Sequence, residues 1–118
     1  MSTVKSFEDL EIWKISREIV KNIYLDFKNT KDFNFHNQIA SAGLSIMNNI
    51  AEGFGRDSDK EFYYFLNVAK GSAMEVKSMY YVASDLCYLD SEKVNLRIES
   101  IQLCINSVAK LKKYLKTK

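Results

Sequence analysis

The architecture of this chain is clearest in residues 62–83, which read FYYFLNVAKGSAMEVKSMYYVA. Apolar residues recur here at alternating spacings of four and three, at Phe62, Leu66, Ala69, Ala73, Val76, Tyr80 and Ala83. This repeat places one apolar stripe along one side of an α-helix, as in a coiled-coil seam. A second apolar stripe lies beside the first, at Phe65, Val68, Met79, Val82 and Leu86. The stretch therefore predicts a long helix, over about residues 59–89, that packs against other helices.

Capping residues mark where this long helix begins. Ser58 and Glu61 form the Ser-x-x-Glu pattern of a capping box, and they follow a break at Gly53 and Gly55. Before that break, residues 34–54 predict a helix of their own. Its apolar stripe consists of Phe35, Ile39, Ala42, Ile46, Ile50 and Gly53.

Two further helices are predicted towards the ends of the chain. The first spans about residues 7–28 and opens at Ser6, which has Asp9 three residues later as in a variant capping box. Its stripe is Leu10, Trp13, Val20, Tyr24 and Phe27 once Arg17 is skipped, and Ile12, Ile19 and Ile23 accompany it. The last helix spans about residues 92–116, with Val94, Ile98, Ile101, Ile105, Val108, Leu111 and Leu115 as its stripe.

The composition of the 118-residue chain is typical of one globular domain, with 47% hydrophobic and 27% charged residues. It contains no proline, so nothing in it interrupts long helices in the way that proline does. Short connections make successive helices run antiparallel. We therefore predict an all-α fold in a single domain over residues 1–118, an up-down-up-down antiparallel four-helix bundle.

The cysteines and the first residues indicate a cytoplasmic location. Cys87 and Cys104 fall on successive antiparallel helices at different distances from the connecting turn, too far apart for a disulfide. We predict that both are reduced core residues. Residues 1–9 have no apolar signal region, and no apolar run approaches the ~20 residues of a membrane span. We expect a soluble, cytoplasmic protein without a membrane partner.

The residue patterns of known catalytic and metal sites are missing from the sequence. The one histidine, His36, is not part of a Glu-x-x-His pattern, and two separated cysteines do not support a zinc site. Ser72 follows Gly71 inside a helix, which is not a nucleophile elbow, and no phosphate loop or dinucleotide fingerprint occurs. We predict a non-enzymatic protein with no cofactor or metal, in which His36 is a first-turn surface residue.

Polar residues lie close to the apolar stripes of the second and third helices. For Asn49, Glu52, Ser72 and Glu75 we predict a hydrogen-bonded network between helices that fixes their register. Two alternatives stay open for Glu52, which could pair with Arg56 four residues later or accept amide hydrogen bonds from a nearby helix start.

Two glycines are predicted to allow close packing of helices. Gly71 lies inside a long helix, where glycine costs about 0.8–1 kcal/mol relative to alanine, so its presence needs a reason. Gly53 lies on the apolar stripe of the second helix. We predict that another helix approaches closely at both positions.

A cluster of lysines ends the chain and has two interpretations. It comprises Lys110, Lys112, Lys113 and Lys116, with Lys118 following and Tyr114 among them. Cations at the end of a helix complement its dipole and aid solubility. The same cluster, repeated around an oligomer, is also the kind of surface that binds RNA or DNA, although the net charge of one chain is only +2.

The first and third helices are apolar over a wider arc than one bundle core needs. A thick core with tyrosines at its rim explains this arc, and so does a second packing surface between subunits. On the second explanation, we expect the chain to form a homo-oligomer.

One set of residues, spread over nearly the whole chain, matches a known pattern. It comprises Phe7-Glu8-Asp9-Leu10, Ile12-Trp13, Gln38, Asn49-Ile50-Ala51-Glu52-Gly53, Arg56, Ser58, Lys60-Glu61-Phe62, Gly71-Ser72 and Glu75. In these residues the chain resembles the bacterial intervening-sequence proteins, a family named for members encoded inside insertions in large-subunit ribosomal RNA genes.

The resemblance implies the bundle described above and assembly into a ring-shaped homopentamer. A relative of the family, the accessory protein of diversity-generating retroelements, is a pentameric barrel that binds nucleic acid and a reverse transcriptase. Members usually carry an arginine shortly after the glutamine that corresponds to Gln38, where this chain has Ser41. The resemblance favours a nucleic-acid-binding or ribonucleoprotein accessory module of poorly defined role. The alternative is a scaffold that binds only protein.

Overall fold

Four α-helices make up most of this computed structural model, in which residues 4–118 are described. A short 3₁₀ helix, Phe7–Asp9, is followed by α1 (Glu11–Asp26), α2 (Phe33–Phe54), α3 (Asp59–Asp85) and α4 (Ser91–Thr117). Residues 4–118 contain no β-strand, so the predicted all-α fold is confirmed. Residues 1–3, which the single-domain prediction includes, lie outside the described residues.

Contacts at the two ends of the bundle establish how the helices run. At one end, Asp26 at the end of α1 is bound by Tyr80 near the end of α3 and by Arg97 near the start of α4. At the other end, Lys118 after α4 pairs with Asp59 at the start of α3. The helices pack in the pairs α1–α2, α2–α3, α3–α4 and α4–α1, so each helix contacts two neighbours. The result is an up-down-up-down bundle that measures 45 × 21 × 20 Å.

The predicted stripes of α2 and α3 form most of the core. Every residue of the two stripes is buried, and the largest fully buried side chains include Ile39, Ile46, Leu66 and Tyr80. The predicted stripe of α4 is buried as well, except that Ile98 and Leu111 are partly exposed. A repeat of four and three thus locates the core of these three helices correctly.

The core stripe of α1 differs from the predicted one. The buried residues are Ile12, Ser16, Ile19 and Ile23, whereas Tyr24, which the prediction placed on the main stripe, is 44% exposed. Ser16 occupies a core position because its hydroxyl donates a hydrogen bond to the carbonyl of Trp13, at 2.8 Å. Leu10 and Phe27, at the two ends of the predicted stripe, are buried as predicted. Between them the buried polar residue Ser16 interrupts the apolar pattern, and this is why the sequence assigned the middle of the stripe to the wrong residues.

The start of α1 also differs from the prediction. The chain is extended at Leu10, with ψ of 129°, and α1 begins at Glu11 without a side-chain cap. The Ser6 hydroxyl donates to the Asp9 carboxylate instead of capping a helix. Leu10 is buried and the Phe7 ring packs edge-on against Trp13, with 5.1 Å between centroids. The extended residue Leu10 therefore separates the 3₁₀ helix from α1, and Phe7 of the 3₁₀ helix packs on Trp13 of α1.

α3 ends four residues before its predicted end. The amide of Tyr88 donates to the Ala83 carbonyl and the amide of Cys87 donates to the Ser84 carbonyl, which is the pair of bonds of a Schellman motif. Cys87 lies at the left-handed position of this motif, with φ of 59°, and it is exposed. The prediction that Cys87 is a core residue is therefore wrong. Cys104 is buried, and burial raises the pKa of its thiol to about 11.

Side-chain caps start the other three helices. The Asp32 carboxylate accepts from the Phe35 amide before α2, the Ser58 hydroxyl from the Glu61 amide before α3, and the Asp90 carboxylate from the Lys93 amide before α4. Along residues 4–118, none of the helices has both the length and the apolar character that a membrane span requires.

Candidate functional site

The four lysines near the end of α4 do not share one face. Lys112 Nζ donates to Asn67 Oδ1 on α3, at 2.5 Å, and lies 5.0 Å from the centroid of the Tyr63 ring. Lys116 Nζ lies 5.9 Å from the same ring. Lys110 is roughly 160° away from Lys112 around the helix, since each residue advances the helix by about 100°. Lys110 and Lys113 are exposed.

The side of α3 that faces α4 carries a further stripe, which sequence analysis missed because it followed apolar residues only. The stripe repeats at spacings of four and three and comprises Tyr63, Asn67, Lys70, Met74, Lys77 and Tyr81. Two hydrogen bonds show that this stripe faces α4. One is the Lys112–Asn67 bond, and in the other Lys77 Nζ donates to Oε1 of Gln102 on α4 at 2.8 Å. We call Tyr63, Lys70, Lys77, Lys112 and Lys116 the basic seam.

The ammonium groups of the basic seam have no carboxylate partner within residues 4–118. The ion pairs in this part of the chain are Lys21–Glu18, Arg56–Glu52, Arg97–Asp26 and Lys118–Asp59. The hydrogen-bond partners of Lys77 and Lys112 are neutral amides, which orient the ammonium groups and leave their charge uncompensated. The seam is thus a line of positive charge between two helices.

A polar cluster joins α2 and α3, and it differs in membership from the predicted network. The hydroxyls of Ser45 and Ser72 share a hydrogen bond of 2.8 Å, and Asn49 Nδ2 donates to Ser45 Oγ at 3.0 Å and to its carbonyl at 2.8 Å. Ser45, which the sequence analysis missed, therefore connects Asn49 to Ser72. Ser45 lies four residues before Asn49, and this helical spacing is the signal by which the sequence could have identified it.

Glu52 and Glu75 are not members of this cluster, and the prediction is wrong for both. Glu52 instead forms an exposed ion pair with Arg56, at 2.6 Å. This pair is one of the two alternatives that the sequence left open for Glu52. Glu75 is exposed and makes no hydrogen bond to Asn49 or Ser72 in the described residues. Both carboxylates point away from the cluster because their positions fall on the solvent side of their helices.

The two glycines predicted to pack closely have different surroundings. A Cβ atom built at Gly53 would lie 2.7 Å from Phe65 Cβ and 3.0 Å from Phe62 Cδ1, so only glycine fits between α2 and α3 there. A Cβ atom at Gly71 would have no neighbour within 4 Å in the part of the chain that the structure describes. Within the chain, the prediction of close packing at Gly71 is wrong, because this residue lies on the solvent side of α3.

A buried ion pair, which sequence analysis missed, ties three helices together. Arg97 donates to both carboxylate oxygens of Asp26, at 2.7 and 2.9 Å, and Tyr80 Oη donates to Oδ2 at 2.8 Å. The Asp26 side chain is only 4% exposed. Burial, followed by the negative charge of Asp26, raises the pKa of the Tyr80 hydroxyl far above its usual range. The hydrogen bond to Asp26 likewise raises the pKa of Arg97.

Asp32 links the start of α2 to the segment that follows α3. Its carboxylate accepts a hydrogen bond from Tyr88 Oη, at 2.6 Å, in addition to the amide of Phe35. These two bonds, that of Tyr88 first, hold the pKa of Asp32 below its usual value. The Tyr88 ring also packs edge-on against Phe35, with 5.4 Å between centroids.

Exposed apolar residues occur on two opposite sides of the bundle. On the α2–α3 side, Val68, Val82 and Leu86 of α3 are 36%, 40% and 52% exposed, on the flank whose Ser72 bonds to α2. On the α1–α4 side, Leu96, Leu103 and Tyr114 of α4 are exposed, and Leu103 borders a shallow groove against α1. These sides are opposite because the helices contact one another in the cycle α1–α2–α3–α4.

The described residues contain no metal-binding cluster. Between residues 4 and 118, no three His, Cys, Asp or Glu side chains converge as metal ligands would. The ring of His36 packs edge-on against Tyr24, with 5.7 Å between centroids.

Comparison with known proteins identifies similar sequences and folds. A sequence model of the family described as "23S rRNA-intervening sequence protein" matches residues 8–111. The fold is similar to the crystal structure of a protein of unknown function from the S23 ribosomal protein family of Bacteroides thetaiotaomicron VPI-5482. The two chains are 23% identical with a TM-score of 0.81, and the match covers 86% of this chain and 98% of the other. No curated protein matches the chain.

Proposed function

Because the chain belongs to the 23S rRNA-intervening sequence protein family, we propose that it is a non-enzymatic, cytoplasmic bundle that self-assembles and binds RNA or DNA. In this role it serves as an accessory module of a nucleic-acid or ribonucleoprotein complex. The observation that carries the proposal is a group of lysines around the last turns of α4 that have no carboxylate partner among residues 4–118: Lys110, Lys112, Lys113 and Lys116.

The charge distribution supports local binding of phosphate groups. The net charge of +2 gives no strong attraction over the whole surface, so binding depends on where the lysines cluster. Lysines contact phosphates as point charges and read little base sequence. We therefore expect weak sequence preference and an affinity that falls steeply with salt.

The exposed apolar residues support self-assembly. A ring needs two different surfaces that meet head to tail, whereas a two-fold dimer uses one surface twice. The apolar α2–α3 and α1–α4 sides are two different surfaces, so they can meet head to tail from one subunit to the next. Five subunits is the number that the family resemblance implies. Repetition of the lysine cluster around such a ring would add the fields of all copies.

Nucleic-acid binding is tested with matched charge variants. One variant replaces the four α4 lysines with glutamine, and its control replaces Lys14, Lys21, Lys28 and Lys31, which are also exposed, with glutamine. Both lose the same charge. With labelled RNA and DNA oligonucleotides at ~50 mM salt, we expect only the α4 variant to weaken binding and to flatten its salt dependence. Absence of binding by the unmodified protein at this salt refutes the proposal.

A scaffold that binds only protein is the second candidate. It is favoured by the exposure of Leu96 and Leu103, both more than half exposed on one face of α4. If the unmodified protein retains no RNA or DNA at low salt and still forms oligomers, this second function replaces the first.

A further inference from the structure

We infer that the basic seam is a track for a single strand of nucleic acid, lying along the α3–α4 groove rather than around the end of α4. This inference rests on the proposed function, because it specifies the form of nucleic acid and the surface that binds it. It differs from that function in assigning contacts to Lys70 and Lys77, which lie far from the C-terminal cluster in sequence.

The contacts between α3 and α4 define the course of the track. Lys112 and Lys116 lie over Tyr63 at one end, and Lys77 reaches Gln102 further along the groove. Lys70 lies midway, seven residues from both Tyr63 and Lys77, which places it on the same side of α3. From Tyr63 to Lys77 the helix advances by about 21 Å. Four lysines are therefore arranged in one file along the groove.

The charges of neighbouring groups favour an anionic strand over this length. None of the lysines in the file has a carboxylate within ion-pairing distance in the described residues. Acidic residues occur at the ends of the file. Asp59 is neutralised by Lys118 at 3.1 Å, and Asp85 follows Tyr81 by one helical turn. The lysines between these ends have no ion-pair partner in the described residues and are therefore free to contact phosphate groups.

Aromatic side chains on the same stripe favour an unpaired strand over a duplex. Tyr81 lies one turn beyond Lys77 and is 52% exposed, so its ring is open to stacking. Bases of a single strand stack on such rings without regard to sequence, whereas the bases of a duplex are already stacked on one another. A file of lysines with an exposed tyrosine is the combination found in proteins that bind single strands.

The inference is tested by fluorescence anisotropy with a labelled 12-nucleotide oligo(U) RNA, the matching oligo(dT) DNA, and a 12-base-pair duplex. The test variant is Lys70→Gln/Lys77→Gln, and its control is Lys14→Gln/Lys21→Gln on α1. For four phosphate contacts we expect a salt slope of about −2.8 with either single strand, reduced to about −1.4 in the test variant. At ~50 mM salt the affinity should fall at least about tenfold in the test variant and stay unchanged in the control.

A second variant, Tyr81→Leu, separates stacking from charge. We expect it to weaken binding of the single strands about tenfold without changing the salt slope, and to leave weaker duplex binding as it was. The inference is overturned if Lys70→Gln/Lys77→Gln behaves like its control while the unmodified protein binds. The single-strand assignment fails if duplex binds as tightly as the strands. If the unmodified protein binds none of the three probes, the proposed function itself is refuted.

Discussion

Gly53 and Gly71 show how differently two glycines inside helices can contribute to stability. Gly53 lets α3 approach α2, because the Cβ of Phe65 occupies the space that a side chain would need. Gly71 is exposed, and a side chain there would contact none of residues 4–118. Its flexibility in the unfolded state is therefore a cost without a compensating contact.

Alanine at these two positions should have opposite effects. We expect Gly71→Ala to raise the free energy of unfolding by about 0.8–1 kcal/mol, since alanine is the better helix former. Gly53→Ala should lower it by about 1–3 kcal/mol, because the backbone of α3 must shift to admit the methyl group. Urea denaturation at low protein concentration measures both.

An outcome in which Gly71→Ala is neutral or destabilising would contradict the solvent-facing position of Gly71. It would indicate that a helix of another copy packs against Gly71, because only a close neighbour makes the added methyl group unfavourable. The Gly53 variant serves as the internal standard for such overpacking.

At the scale of elements, a buried ion pair between helices and an exposed ion pair within one helix differ in strength. The Asp26–Arg97 pair has side chains that are 4% and 19% exposed, and Tyr80 completes the coordination of the carboxylate. The Glu18–Lys21 pair has side chains that are 65% and 66% exposed, and its atoms are 4.0 Å apart. Loss of a carboxylate from the first pair leaves Arg97 without a counter-charge where little water reaches it.

We expect Asp26→Asn to lower the free energy of unfolding by about 3 kcal/mol, since removal of one partner strands the other charge. Glu18→Gln, which also removes one carboxylate from α1, should change the free energy of unfolding by less than about 0.5 kcal/mol. Thermal and urea unfolding of the two variants provide the comparison. Equal effects of the two changes would show that Asp26 does not hold α1 to α3 and α4.

The Tyr88–Asp32 bond makes part of the stability depend on pH. Because the pKa of Asp32 is lower in the folded protein than its value of 3.8 in the unfolded chain, its stabilising effect is present above about pH 4. The effect is lost as pH falls through the folded pKa. Tyr88→Phe removes the largest cause of this shift, so it should destabilise the protein at pH 7 and have a smaller effect near pH 2. Urea midpoints at both pH values test this, and a pH-independent difference would contradict it.

The elements also show which features the sequence could indicate. The stripes of α2 and α3 were predictable because every fourth or third residue is apolar and buried. The stripe of α1 was predictable only at its ends, Leu10 and Phe27, since Ser16 satisfies its hydroxyl on the Trp13 carbonyl and occupies a core position between them. The Asp26–Arg97 pair joins residues 71 positions apart, and no local pattern relates residues at such a distance. The lysines of α4 were visible in the sequence, but their division between faces depended on the packing of α3 and α4.

At the scale of the whole molecule, the two apolar sides make assembly testable. A monomer has a mass of 13.7 kDa, and we expect light scattering to give about five times this mass. Val82→Glu places a charge on the α2–α3 side and should reduce the assembly to monomers. Met74→Glu is the control, because Met74 is 50% exposed on the same helix but on the flank that faces α4.

Circular dichroism of both variants should remain helical, since neither residue belongs to the buried stripes. If Val82→Glu keeps the mass of the unmodified protein, the α2–α3 side is not an interface between subunits. A monomeric mass for the unmodified protein at micromolar concentration would exclude self-assembly altogether.

The turn after α3 carries a cysteine that allows site-specific labelling of the folded protein. Cys87 is exposed at the tip between α3 and α4, whereas Cys104 is buried with a thiol that resists ionisation. A maleimide reagent should therefore attach one dye to each folded subunit, always at the same end of the bundle, and a second dye only after unfolding. Stepwise photobleaching of single particles labelled in this way would count the subunits of the assembly that we propose. Energy transfer between the dyes would measure the distance between neighbouring tips.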